Sequence, residues 1–231
     1  MTDITATPHD GTSISLPGNV SAVRSFQKLG FPLITISSPL MLWDTKVVNK
    51  MLNNESLRRD RKMKRMILAT DRHMLPGEPS GDDYHFFTPI DFARKVSLKK
   101  FFSHVEAYKE IPSLFARYGI LNEEIERLRA EYKQSAFVCI CSMSIRNAEI
   151  LAQEYGGDDV FSIFLYASYE KIKVELEHYS MDANEDFSRR LETAERELRF
   201  QGYFSRSVST ENWDKAYAQI EEIIRTFQCN I

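Results

Sequence analysis

Cysteine thiols are the side chains in this sequence that could form covalent bonds or bind a soft metal. The chain contains three of them, Cys139, Cys141 and Cys229, and no C-x-x-C pair. An odd number without that pair predicts neither a disulfide framework nor a structural zinc site. Cys139 and Cys141 alternate within a short apolar stretch, which is typical of thiols buried in a strand. We therefore expect no metal site, and a reducing, cytoplasmic location.

A second chemical feature is the basic run Arg58–Arg65, in which six of eight residues are Lys or Arg. Such a run could bind an acidic partner, an anionic lipid or RNA. We favour the alternative that it is a solvated helix end leading into the apolar segment Met66–Thr70. The whole chain has a net charge of −3, so nucleic-acid binding has no support beyond this run.

Composition and hydrophobic periodicity describe the scaffold that must position these groups. Of the 231 residues, 43% are hydrophobic and 27% charged, which excludes a wholly disordered or collagen-like chain. Residues 1–25 are rich in Thr, Ser, Gly, Pro and Asp and predict a mobile tail, so residues 26–231 form the expected domain. Met1–Gly11 has no secretory signal pattern, and no apolar run approaches the ~20 residues of a transmembrane segment.

Buried strands alternate with amphipathic helices along the rest of the chain. The predicted strands are Phe31–Ser37, Met66–Thr70, Ala136–Cys141 and Val160–Tyr166. The predicted helices are Thr45–Leu57, Leu121–Glu131, Ile145–Glu154, Tyr169–His178, Glu185–Phe200 and a last one from Trp213 to Phe227. This alternation predicts an α/β fold on a parallel sheet.

Three segments resemble the guanylate kinase family. Ala69–Phe86, which reads ATDRHMLPGEPSGDDYHF, is similar to the GMP-binding segment T-T-R-x-x-R-x-G-E-x-x-G-x-D-Y-x-F. Arg189–Glu197 resembles the family helix R-R-L-x-x-A-x-x-E, and Asn212–Tyr217 resembles the closing D-L-D-K-A-Y helix. The resemblance spans about Phe31 to Phe227. It implies a P-loop NTPase-type sheet, a smaller acceptor-binding lobe at about residues 70–120 and a lid remnant at about 177–187.

The resemblance also implies which residues bind the acceptor. The expected residues are Arg72, Tyr84, Tyr118 and Arg190 on the phosphate side, Glu106 near the glutamate that reads the base in the family, and Asp83. Tyr118 requires a short insertion around Lys109–Leu114. Leu75 replaces the second arginine of the family motif. Leu68 falls near the serine that reads guanine in the family, so we do not expect selectivity for guanine.

The phosphate-donor loop departs from the family pattern G-x-x-x-x-G-K-[ST], in which glycines admit the phosphates and a lysine binds them. Alignment places Ser38 at the first glycine, Trp43 at the second, Asp44 at the lysine and Thr45 at the hydroxyl position. We expect Trp43 to pack into the vacated loop and Lys46 to lie on the helix surface. The lid has lost its arginines. The sequence therefore predicts no catalytic residue, no cofactor and no binding of ATP with magnesium.

These features favour a catalytically inactive guanylate-kinase-like protein that acts as a binding or scaffold module. It would engage a phosphorylated or acidic ligand, or a protein partner, through the residual cleft or the surface around it. The resemblance leaves two alternatives open. One is a divergent kinase that transfers phosphate from ATP to a GMP-like nucleoside monophosphate, and the other is a structural subunit of a larger assembly.

Overall fold

The computed structural model describes residues 28–75, 77–155, 159–179 and 185–227. The predicted tail, Cys229 and the middle of the predicted lid lie outside these residues. Among the described residues, no helix is long and apolar enough to cross a membrane.

Nine strands and eight α-helices follow one another along the described chain. The strands are β1 (Leu33–Ser37), β2 (Met63–Arg65), β3 (Leu68–Thr70), β4 (Tyr84–Phe86), β5 (Phe101–Ala107), β6 (Ala116–Leu121), β7 (Val138–Ser142), β8 (Val160–Tyr166) and β9 (Arg206–Ser209). The helices are α1 (Asp44–Leu52), α2 (Glu55–Asp60), α3 (Pro89–Ser97), α4 (Asn122–Gln134), α5 (Ile145–Tyr155), α6 (Tyr169–Tyr179), α7 (Glu185–Leu198) and α8 (Trp213–Thr226).

The main sheet is parallel and has the strand order β2-β7-β1-β8-β9. Every residue of β1 and β7 is buried, as expected for strands covered by helices on both faces. The free thiols of Cys139 and Cys141 lie in β7, and burial raises the pKa of both. The predicted α/β fold with a parallel sheet is therefore confirmed, and the two thiols belong to the core.

The basic run begins in the predicted solvated helix end, since Arg58 and Arg59 are exposed in the last turn of α2, and then continues into a strand. The helix predicted as Thr45–Leu57 stops at Leu52, because the Asn54 side chain accepts the amides of Ser56 and Leu57 and starts α2. The run then forms β2, the edge strand of the main sheet. Arg61 donates to carbonyls at the end of α8, and Arg65 pairs with Asp83. Much of its charge is therefore satisfied within the chain.

The acceptor-binding lobe is a second, mixed sheet with the order β4-β3-β6-β5. Strand β6 lies antiparallel to both neighbours, and α3 covers the sheet with Phe92 stacked on Phe101 at 4.5 Å. Gly119 of β6 lies directly under this stack. A Cβ at this position would lie 2.6 Å from Cδ1 of Phe101 and 3.0 Å from the carbonyl oxygen of Ser103.

The loop after β1 is fixed to α7 by Glu197. The amide of Leu40 donates to the Glu197 carboxylate at 2.6 Å. Burial raises the pKa of Glu197 to about 7, partly opposed by the Leu40 hydrogen bond and by Arg196, while Glu110 acts in the same direction as burial. This contact joins the start of the phosphate-donor loop to the helix after the lid.

We predict that Gly119→Ala destabilises the protein, because Phe101 and the β5 backbone leave no room for a methyl group. The expected loss is about 2 kcal/mol, or a decrease in Tm of about 5 °C. The control is Gly202→Ala, since nothing lies within 4 Å of the position that its methyl group would take. Equal Tm values for the two variants would show that this packing is not tight.

We predict that Glu197 makes stability decrease as pH rises. Its folded pKa lies above the ordinary glutamate value, so its contribution is complete below about pH 4.5 and is lost as pH rises through about 7. The free energy of unfolding of wild type minus that of Glu197→Gln should decrease by about 2 kcal/mol between pH 5 and 8. Denaturant unfolding across this range measures the difference. Glu195→Gln, on the exposed side of α7, is the control, and parallel profiles for wild type and Glu197→Gln would contradict the prediction.

Candidate functional site

The phosphate-donor loop connects the end of β1 to the first turn of α1, at the carboxyl edge of the main sheet. Pro39–Met41 forms a short 3-10 turn. Leu40 and Met41 have φ angles of 53° and 55°, in the left-handed region that costs an L-residue about 1–2 kcal/mol. Glycine would adopt these angles without strain. The loop is therefore strongly bent although it contains no glycine.

Backbone amides of this loop donate to the chain itself. Met41 donates to the carbonyl of Ser38 at 3.0 Å, Leu42 to that of Pro39 at 3.1 Å, and Trp43 to the Ser38 hydroxyl at 3.2 Å. An anion cradle needs such amides free and pointing at the phosphate. Because they are already bonded, the loop does not present that cradle.

Asp44 occupies the position of the phosphate-binding lysine and is fully buried. One carboxyl oxygen accepts from the Ser38 hydroxyl, and the other has no hydrogen-bond partner. Burial raises the pKa of Asp44 well above its usual range, although the Ser38 hydrogen bonds oppose the shift. Burial therefore disfavours the ionised form of Asp44. The lysine charge is lost at this position, and no other positive side chain takes its place in the sequence.

The neighbouring loop residues are packed rather than open. Trp43 is 2% exposed and meets Trp213 edge-on at 6.0 Å, which confirms its predicted packing. Lys46 lies over the Trp213 ring at 5.6 Å. The Thr45 hydroxyl lies 3.3 Å from that of Ser142. No described group of three or more His, Cys, Asp or Glu side chains could hold a metal. The contacts of Trp43, Lys46 and Thr45 hold the loop and the start of α1 against α8 and β7.

Three of the predicted acceptor residues lie together. The Arg72 guanidinium lies over the Tyr84 ring at 5.5 Å, and the rings of Tyr84 and Tyr118 meet edge-on at 5.9 Å. Glu78 holds Arg72 with two hydrogen bonds of 2.9 and 3.0 Å. Burial raises the pKa of both tyrosines, so their hydroxyls remain donors at neutral pH. We call Arg72, Tyr84 and Tyr118 the acceptor trio.

The other predicted acceptor residues have partners elsewhere. Asp83 pairs with Arg65 between the lobe and β2, and Glu106 pairs with Lys109 within the lobe. Arg190 donates to the Ser113 hydroxyl at 2.9 Å. Leu68, which aligns near the serine that reads guanine in the family, is apolar and 1% exposed. It therefore offers no polar group to a nucleotide base. Leu75, in contrast, is exposed on the loop that follows Arg72.

Tyr108 is a site residue that sequence reasoning missed. Its hydroxyl is desolvated and interacts electrostatically with Glu197, Tyr118 and Asp44, and burial raises its pKa well above the usual value. Tyr108 also packs against the core cluster that contains Leu40 and Trp43 of the donor loop. The only sequence signal was its position just before the insertion at Lys109–Leu114.

Comparisons with known proteins agree with this geometry. The family model of guanylate kinases matches residues 33–227. The chain is 26% identical over 196 residues to the guanylate kinase of Porphyromonas gingivalis, covering 84% of this chain and 97% of that relative. It is 26% identical over 204 residues to the guanylate kinase of Bacteroides thetaiotaomicron, covering 88% and 93%.

A solved structure shares the fold. The guanylate kinase of Anaplasma phagocytophilum superposes with a TM-score of 0.60 at 20% identity, covering 86% of each chain. At this identity the likeness shows the fold alone. The family model, however, matches most of the chain, and this chain therefore belongs to the guanylate kinase family.

Proposed function

We propose that this family member binds a phosphomonoester at the acceptor trio and does not transfer phosphate from ATP. The observation that carries the proposal is the donor loop, whose amides at Met41, Leu42 and Trp43 are bonded within the loop. Loss of one preorganised donor costs a transition state about 3–4 kcal/mol. Several amides that are bonded elsewhere and a missing lysine together leave no functional phosphate-donor site.

The acceptor side supports binding. Arginine and tyrosine hydroxyls satisfy phosphate oxygens whatever group the phosphate is attached to. Two sources share this chemistry, a GMP-like nucleotide and a phosphorylated side chain of a protein partner. The buried, apolar Leu68 disfavours selective recognition of guanine, because a guanine edge left unpaired there costs about 1–3 kcal/mol per lost hydrogen bond. A scaffold role and a cytoplasmic location stay predictions.

A second candidate function is a divergent nucleoside monophosphate kinase. It is favoured by relatives that are named guanylate kinases and are covered over nearly their whole length. Transfer would then require the donor loop to rearrange and release its amides.

We predict no phosphoryl transfer from ATP with magnesium to GMP, dGMP or other nucleoside monophosphates above a no-protein control. Calorimetry should detect no ATP binding at about 100 μM, because the loop amides are bonded within the loop and the lysine charge is missing. A coupled assay of ADP formation measures turnover, with an active guanylate kinase as the positive control. Turnover that Asp44→Asn or Thr45→Ala abolishes would replace this proposal with the kinase.

We predict that Leu75→Arg strengthens phosphate binding, since Leu75 is exposed on the Arg72 loop and aligns with the second arginine of the family motif. One charge-assisted hydrogen bond contributes about 1.5–3 kcal/mol, or about 10- to 100-fold in Kd. Calorimetry with GMP and with a phosphoserine peptide measures the effect and separates the two ligand sources.

Met74→Arg is the matched control, because it adds the same charge at the exposed neighbouring position and should change Kd less than about 3-fold. Arg72→Ala should weaken binding at least about 10-fold. If neither Arg72→Ala nor Leu75→Arg changes Kd, the acceptor trio does not bind phosphate.

A further inference from the structure

A loop of the acceptor-binding lobe crosses to the main domain. It runs from Tyr108 to Phe115, between β5 and β6, and we call it the latch loop. Hydrogen bonds of 2.9 Å, from Ile111 to the Tyr108 carbonyl and from Leu114 and Phe115 to the Ile111 carbonyl, fold it into consecutive tight turns. Tyr108, at its start, has a φ angle of 56°. These turns place Ile111 at the tip of the loop.

Ile111 is part of the hydrophobic core of the main domain. Its side chain is 0% exposed and belongs to the cluster formed by α1, the main sheet, α6, α7 and α8. Tyr108 and Leu114 pack against the same cluster. The sheet residues of the lobe, including Tyr84 and Tyr118, belong instead to a second cluster with Cys139, Cys141 and Met143. The lobe therefore contacts the main domain through two separate clusters.

Polar contacts between the latch loop and α7 surround this apolar anchor. The Glu110 carboxylate pairs with Arg196, and the Glu110 carbonyl accepts from Arg189 at 3.5 Å. The Ser113 hydroxyl accepts from Arg190 at 2.9 Å and donates to Asp186. Four side chains of α7, spread over three turns, thus contact one short loop of the lobe.

We propose that the latch loop holds the acceptor-binding lobe closed against α7 before any ligand arrives. Closure that assembles a site on ligand binding is a common device in enzymes with mobile lobes. Here the chain makes the closing contacts itself. Ile111 is buried in the main domain, and Glu110 and Ser113 on either side of it contact side chains of α7. The latch loop coincides with the short insertion around Lys109–Leu114 that the resemblance implies.

The consequence for binding rests on the proposed function. The strands that flank the latch loop carry Glu106 and Tyr118, and α7 carries Arg190. Joining them fixes the distance between the acceptor trio and Arg190 in the unliganded protein. A preorganised site avoids the cost of ordering the lobe when the ligand binds. A phosphomonoester should therefore bind with little further closure.

Hydrogen exchange of the full chain, read by mass spectrometry without ligand, tests the latch. Ile111→Ala and the surface variant Glu110→Ala/Ser113→Ala are compared with wild type. We expect exchange in Tyr108–Tyr118 and in α7 to increase at least about 10-fold for Ile111→Ala and about 3-fold for the surface variant. Exchange in α5 should not change in the surface variant, which separates local opening from global unfolding.

Lys109→Ala is the matched control, because its ion pair with Glu106 lies within the lobe, and exchange in α7 should equal that of wild type. If the surface variant leaves exchange in both segments unchanged, the latch proposal is wrong. Wild-type protein that gains more than about 5-fold protection in Tyr108–Tyr118 when GMP is added also overturns it, because the lobe was then open. Absence of binding to both GMP and the phosphoserine peptide contradicts the proposed function alone, since the ligand-free comparison does not depend on either ligand.

Discussion

The hydrogen bonds inside the loop between β1 and α1 constrain what the rest of this molecule can do. Amides at Met41, Leu42 and Trp43 are bonded within the loop, and the Leu40 amide binds Glu197. In a phosphate cradle the ligand takes the place of such partners. A triphosphate would have to break several of these bonds at once and restore the charge of the absent lysine. The loop thus acts as a packed connection between β1 and α1.

The burial of Asp44 affects how this loop would interact with a phosphate. An ionised carboxylate about 4 Å from a phosphate would repel it by about 4 kcal/mol at an effective dielectric constant of 20. Burial raises the pKa of Asp44 and so acts against the ionised form that would cause this repulsion. The proposed absence of ATP binding therefore rests on the missing lysine and on amides that are bonded within the loop, and it does not require repulsion by Asp44.

The acceptor side depends on contacts that join the two sheets. Tyr84 and Tyr118 belong to different strands of the lobe, and their rings pack with β7 residues of the main sheet. On the other side of the main sheet, the latch loop inserts Ile111 next to α7. The proposed loss of phosphate transfer and the proposed binding of a phosphomonoester are compatible, because they involve different segments of the chain.

The sequence by itself determined the parallel sheet, since buried apolar strands that alternate with amphipathic helices can pack in few other ways. It also predicted an altered donor loop and acceptor-binding roles for Arg72, Tyr84 and Tyr118, because these follow local motifs at fixed spacing. Local patterns could not reveal that Asn54 ends α1 early or that Asp83 pairs with Arg65. The packing of Tyr108 against the main core, the burial of Asp44 and the insertion of Ile111 into that core were decided only by tertiary structure. Each of these features depends on neighbours that are distant in sequence and that determine desolvation and packing. Local motif spacing does not predict such neighbours.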